Sequence, residues 1–240
     1  MHPYGIHYFP LTLPFLLILL GLLAALSVLV LARVLRFAYS GLGISPGTFL
    51  LLMFLSLIGS SINIPIMQYP DAQVVSNQVV TFFGIPYVVP VVEHWPATIL
   101  AINVGGAIIP IWLSLYLMAK NGLYAKAFWG VAIVSLACWW LAEPVPGVGI
   151  AIPVFYPPLV AALAALALSR VQAAPLAYVS GSIGTLIGGD LLNLDKIRGL
   201  GAPVASIGGA GTFDGIFVTG LLAVILAAAV SRHHTARSYR

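Results

Sequence analysis

Ser182-Ile-Gly-Thr-Leu-Ile-Gly-Gly-Asp190 ends on an aspartate, and so does Ser206-Ile-Gly-Gly-Ala-Gly-Thr-Phe-Asp214. In both stretches Ser-Ile-Gly is followed by five residues and then the carboxylate. Each lies within or beside a long run of apolar and small residues, so the two frames set the terms for the whole chain.

Composition fixes the solvent around them. With 61% hydrophobic residues, 7% charged residues and 24 glycines, the chain lacks the polar surface to coat a soluble globule. A helix crosses the hydrocarbon with about 20 mostly apolar residues. Seven runs qualify, near residues 11–32, 48–67, 97–118, 125–142, 148–168, 174–194 and 206–230. The reading is a single polytopic domain over 1–240. It is all-α and integral to the membrane, with about seven transmembrane helices, several broken by Gly or Pro.

The first run has no basic segment before it and reaches Arg33 and Arg36 without a small-x-small cleavage site, so it is read as a span rather than a removed signal. Cys138 is the only cysteine, which excludes an intrachain disulfide and a thiol-ligated zinc site. No metal and no cofactor is expected. No basic stripe with interleaved aromatics is present, so nucleic acid is not an expected partner.

Charge placement orients the spans. With the N-terminus outside, Arg33, Arg36, Lys120, Lys126, Arg170, Arg232, Arg237 and Arg240 fall on the cytoplasmic side, leaving only Lys196 and Arg198 outside. The expected location is the plasma (inner) membrane with a cytoplasmic C-terminus. The acids sort the other way. Asp71, Glu93, Glu143, Asp190, Asp195 and Asp214 all fall in outer loops or the outer parts of spans. That sorting points to an outward-facing polar site.

Three spans carry breaks. Asn63 and Pro65 end the second, Asn103, Gly105, Gly106 and Pro110 interrupt the third, and Pro153, Pro157 and Pro158 mark the fifth. Proline removes a backbone donor, and the freed carbonyls must be met by side chains, water or ions. Packing of small residues and hydrogen bonding between helices account for such positions without any chemistry. Asn63 and Asn103 are retained as candidate substrate-binding amides. Residues 68–96 read differently: β-branched and aromatic residues around Gly84-Ile85-Pro86 predict a short extracytoplasmic β-like segment near 73–93, with Pro86 and Pro90 confining it to an edge. Glu93-His94 are adjacent and on a strand would face opposite ways, so no metal is placed there.

The two aspartates are the candidate catalytic pair. A carboxylate in hydrocarbon costs a few kcal/mol even on the lenient insertion scale, so each must face a cavity or a partner. If the sixth and seventh spans are antiparallel neighbours, Asp190 and Asp214 reach similar depths. Two close carboxyls share one proton, and such a dyad activates water while its protonated partner polarises a carbonyl. Gly188 and Gly189 beside the first, and Gly209 and Gly211 before the second, would let a substrate backbone approach. Asp195, next to Lys196, reads as a surface ion pair or a turn cap, and Glu143 as a residue of the cavity mouth.

Two resemblances follow from these residues. Segments "SLIGSSINIPI", "AINVGGAIIPIWLSLYL", "PVPGVGIAIP", "GTLIGGDLLNL" and "GAPVASIGGAGTFDGIF" together resemble a bacterial and archaeal family of multi-pass membrane proteins of unknown function, which implies no activity. Locally, Gly188-Gly189-Asp190 is similar to the Gly-x-Gly-Asp signature of intramembrane aspartyl proteases, and Phe213-Asp214 to their Tyr-Asp motif. Ile187 stands where that signature has glycine, the aromatic-Asp pair follows rather than precedes it, and no Pro-Ala-Leu lies downstream.

The expected function is a hydrolase acting on a membrane-embedded peptide. The alternative is a carrier or channel in which the same aspartates bind a proton or a monovalent cation, since broken helices and embedded acids also serve ion coupling. A structural role, with the aspartates bonded to Ser182, Thr185 or Thr212, is the third possibility. Membrane lipid is the common partner of all three.

Overall fold

The computed structural model describes residues 13–70, 72–82, 85–95, 97–145, 149–197, 204–209 and 215–237. Its contacts fall into two units, Met1–Phe37 and Ala38–Arg240. The chain is mostly helical, with short strands between the helices.

Helix α1 (Leu13–Leu42) has 30 residues, a length of about 45 Å at 1.5 Å per residue. Its side chains from Leu16 to Val34 are all exposed although the segment is almost wholly apolar. Such a helix is stable only where hydrocarbon replaces water around it.

In the second unit, α2 (Pro46–Gly59) begins where Ser45 accepts a hydrogen bond from the Thr48 N–H at 3.1 Å, with Pro46 at a position that needs no donor. It ends at Gly59, and the chain turns into β1 (Asn63–Tyr69). β2 (Ala72–Phe82) and β3 (Ile85–Trp95) pair antiparallel, and β4 (Thr98–Asn103) returns along β1. The register of the two pairs is continuous: Tyr69↔Thr98 leads to Ala72↔Trp95 and on to Phe82↔Ile85. The four strands are therefore two arms of one long ribbon. Among the described residues its one irregularity falls between Pro65 and Met67, where a proline that cannot donate to the ladder is taken up in a bulge.

After β4 come a π-helical turn (Val104–Ile108), α3 (Ile109–Asn121) and α4 (Tyr124–Leu141). The small hairpin β5 (Glu143–Val145) and β6 (Gly149–Ala151) precedes α5 (Tyr156–Leu168). α6 (Ala173–Thr185) runs into a second π turn (Leu186–Asp190) and a 3-10 turn (Leu191–Ile197). β7 (Val204–Ile207) lies parallel to β4, giving the sheet order β1-β4-β7, and α7 (Gly215–Arg237) follows.

α6 is the axis of the bundle, packed by α3, α4, α5 and α7. Every residue of it but Ile183 is buried. Its small side chains permit this. The Ser180 hydroxyl sits where a Cβ on Gly130 of α4 would lie, and the Ser182 hydroxyl fills the corresponding notch at Gly220 of α7. Close backbone approach through small residues is how helices associate when lipid offers no hydrophobic drive.

The ends of the bundle differ in charge. At one end the Lys120 ammonium donates to the Gly43 carbonyl, the Lys126 ammonium lies 3.1 Å from Ser169 Oγ, and the Gln172 amide donates to the Asn121 carbonyl at 3.0 Å. These contacts gather the loops before α2, α4 and α6, together with Arg170. Glu143, Asp190 and Asp195 lie at the opposite end, with the strands.

Helices stand in all seven predicted runs, but most runs are not helical throughout. The run 48–67 is helix only to Gly59, 97–118 starts as strand, and 148–168 and 206–230 carry β6 and β7 at the same end. Among the described residues, three helical segments, Leu16–Leu42, Val104–Asn121 and Tyr124–Leu141, are long and apolar enough to cross a membrane. The all-α expectation thus gives way to helices with strands at one end. The cause lies in the Asn, Gly and Pro positions, where the backbone leaves the helix and finds its partners in a ladder instead. The β-like segment expected near 73–93 is present as β2 and β3.

Candidate functional site

The site forms where three irregular segments meet. The first is the second π turn. Gly188 lies so near α4 that a Cβ there would stand 2.1 Å from the Ser135 carbonyl oxygen, and one on Gly189 would stand 2.7 Å from Ile152 Cδ1. The Gly188 and Gly189 carbonyls, released from regular helix bonding, accept from the fully buried Asn193 amide at 2.8 and 3.0 Å. Asp190 closes the turn half-buried, with its carboxylate turned to β7.

The second segment is the turn after β7. The Gly208 N–H donates to Asp190 Oδ2 at 2.7 Å, and the Gly209 N–H donates to the Ser206 carbonyl at 3.1 Å. Both glycines have positive φ, 99° and 94°, which side-chain-bearing residues avoid. A Cβ on Gly208 would also stand 2.7 Å from the Ala107 nitrogen in the first π turn. Glycine here thus lets one strand end pass between an aspartate and a neighbouring backbone.

The third is that first π turn, which Asn103 organises. Its side-chain oxygen accepts from the Gly106 N–H at 2.8 Å, and its amide donates to the Ser60 carbonyl at 2.7 Å and to Asn63 Oδ1 at 3.0 Å. Asn63 Oδ1 also accepts from the Ser206 hydroxyl at 2.6 Å. Ser56 Oγ donates to the Gly105 carbonyl at 2.9 Å. The network joins α2, β1, β4, β7 and the turn. Asn103 is almost wholly buried, so its bonds stand in for the water it has lost.

Asp190 faces a cavity of about 90 Å³ bounded by Gly149 and Ile150 of β6, Ile197, Gly209 and all of β7. A water's share of liquid volume is about 30 Å³, so the space admits more than one. Among the described residues, β7 has a strand partner on one side only, and the cavity runs along it. Leu186, Ala107, Ile197, Ala205, Ile207 and Ile216 pack together in the apolar core beneath. Among the described residues no three His, Cys, Asp or Glu converge as metal ligands.

Of the expected site residues, Asp190 and Gly209 line this cavity, while Asn63 and Asn103 form the adjoining network. Gly188 and Gly189 lie against α4 and Ile152. Asp214 and Gly211 fall outside the described residues. Glu143 opens β5 and Asp195 lies in the 3-10 turn, both exposed. Sequence reasoning missed Ser206, Asn193 and the Gly208 N–H. A cue was present for the last: Ala101-Ile-Asn-Val-Gly-Gly106 and Ala205-Ser-Ile-Gly-Gly209 each place paired glycines just after an apolar strand.

Apolar helices around a small-residue axis, capped at one end by a sheet, with a partly buried carboxylate from the helix side bonded just past its last strand, describe a membrane-protein fold. The chain belongs to the family described as "Protein of unknown function (DUF1614)", which matches residues 57–226, from the end of α2 into α7. No curated protein and no solved structure matches it.

Proposed function

We propose that the chain is an intramembrane aspartyl hydrolase that cleaves an extended peptide laid along β7. The observation that carries this reading is the position of Asp190, held by the Gly208 N–H at the wall of a cavity that runs along that strand, whose one strand partner among the described residues is β4. An extended peptide can join such an edge by backbone hydrogen bonds, which place its carbonyls without regard to side chain. Asp214 follows β7 by seven residues in sequence, and the described residues Ile207 and Ile216 on either side of it pack in the same cluster as Leu186, four residues before Asp190. That shared core favours the two acids as a pair.

In this mechanism the pair holds one proton. The ionised carboxylate takes a proton from water as its oxygen bonds to the peptide carbonyl carbon, while the protonated partner donates to the carbonyl oxygen. Collapse of the tetrahedral intermediate breaks the C–N bond, and the amine leaves with a proton from the dyad. The proposed topology has seven spans, with the short helices completed by their strands and π turns. The cationic end of the bundle faces the cytoplasm and Asp190 the opposite side. Full-length protein in vesicles with a quenched-fluorescent transmembrane peptide tests the reading: Asp190→Asn and Asp214→Asn should each abolish cleavage. Turnover retained in either variant removes the dyad.

A second reading draws on a different observation. The second π turn ends in Asp190 at a cavity that β6 and β7 also line, an interrupted helix of the kind that binds ions in coupled carriers. In that case the vesicles show proton- or sodium-dependent flux without peptide, lost on Asp190→Asn.

A further inference from the structure

At the cationic end of the bundle, α5 and α7 leave between them a cavity of about 190 Å³ lined by Leu166, Ala167, Arg170, Val230 and Ser231. Its walls are aliphatic, and it holds one guanidinium. Among the described residues Arg170 has no acidic partner. The sequence offers none nearby either, since no aspartate or glutamate occurs in residues 38–45, 119–126, 167–174 or 228–237, the described segments at this end. Lys126, bonded to Ser169, the residue before Arg170, adds a second cation at this end. An arginine beside an apolar crevice, with no counter-charge from its own protein, calls for an anion with an apolar part.

We propose that this crevice binds the phosphate group of an anionic glycerophospholipid, with Arg170 on the phosphate and an acyl chain along Leu166, Ala167 and Val230. Guanidinium presents paired N–H donors that match two phosphate oxygens, and it sheds water more readily than ammonium. A basic pocket between helices at the membrane surface is a recognised headgroup arrangement. Free phosphate shares the polar half of this chemistry but has no use for the aliphatic walls. The site lies at the far end of the bundle from Asp190, and its occupancy does not depend on what that residue does.

The test titrates delipidated full-length protein in neutral detergent and follows its melting temperature. Phosphatidylglycerol should raise it more than phosphatidylcholine does, and inorganic phosphate should not reproduce the rise. Arg170→Gln should weaken apparent phosphatidylglycerol affinity by about fivefold, the factor for one basic residue near an anionic surface. Ala167→Phe fills the crevice without touching the charge and should weaken it too. An unchanged lipid response in Arg170→Gln overturns the site. A full response to inorganic phosphate, insensitive to Ala167→Phe, overturns the lipid.

Discussion

The Ser206 hydroxyl donates to Asn63 Oδ1 at 2.6 Å, joining residues 143 positions apart across the strand between them. The same oxygen accepts from Asn103. One acceptor therefore ties the ribbon to the strand that lines the Asp190 cavity. Ser206→Ala should cost about 1 kcal/mol, the usual net value of one such bond. Asn63→Ala leaves both donors short and should cost more. Chemical denaturation in mixed micelles measures both, and the double variant should fall short of the sum because the two changes delete the same bond.

Asn103 serves a buried carbonyl and a buried N–H at once. Asn103→Leu strands both Ser60 O and the Gly106 N–H, and each unmet buried group costs about 1–3 kcal/mol. Unfolding at markedly lower denaturant is the expected result. A wild-type midpoint would show that water replaces the side chain there.

Glycine substitutions should split by what they meet. Gly105→Ala and Gly188→Ala drive a methyl into backbone, at 2.1 Å from the Ser56 and Ser135 carbonyl oxygens, and cannot relax by a rotamer change. Overpacking of this kind costs about 1–3 kcal/mol or more. Gly47→Ala, with nothing within 4 Å, should leave the melting temperature unchanged or slightly raised. Gly130→Ala clashes with the Ser180 side chain and reaches Leu168 at an ordinary 3.6 Å, so Ser180→Gly should restore much of the loss.

Asp190 can be parted from its structural bond. Asparagine still accepts from the Gly208 N–H but carries no acid, so Asp190→Asn should keep the wild-type melting point and lose the proposed peptide cleavage. Asp190→Leu leaves that donor unmet and should lower stability as well, by about 1–3 kcal/mol. Equal loss of stability in both would make the residue a structural acceptor.

Much of this architecture was legible because hydrophobic runs register solvent, and a bilayer leaves a strong mark in residues such as Leu17–Leu31. The helix positions and the strands near 73–93 came from that signal and from local breaks. What stayed hidden was the extent of strand at one end. Ile64, Ile102 and Ile207 read as continuing helix because apolar residues suit both conformations. Only the pairing of Asn63 with Asn103, and of Ile102 with Ile207, decides between them, and that pairing is long-range. Ser206 was missed for the same reason, since its partner lies two strands away.

The shared register of the described pairs, Met67↔Leu100 to Tyr69↔Thr98 and Ala72↔Trp95 to Phe82↔Ile85, constrains how this region can change length. Deleting a residue from one arm alone would turn the side chains beyond it to the opposite face and withdraw either Asn63 or Asn103 from the other. Shortening keeps the Asn63–Asn103 pairing when both arms lose the same number of residues, or when a bulge like that between Pro65 and Met67 absorbs the difference, so engineered truncations of this ribbon should come in matched pairs or with a bulge.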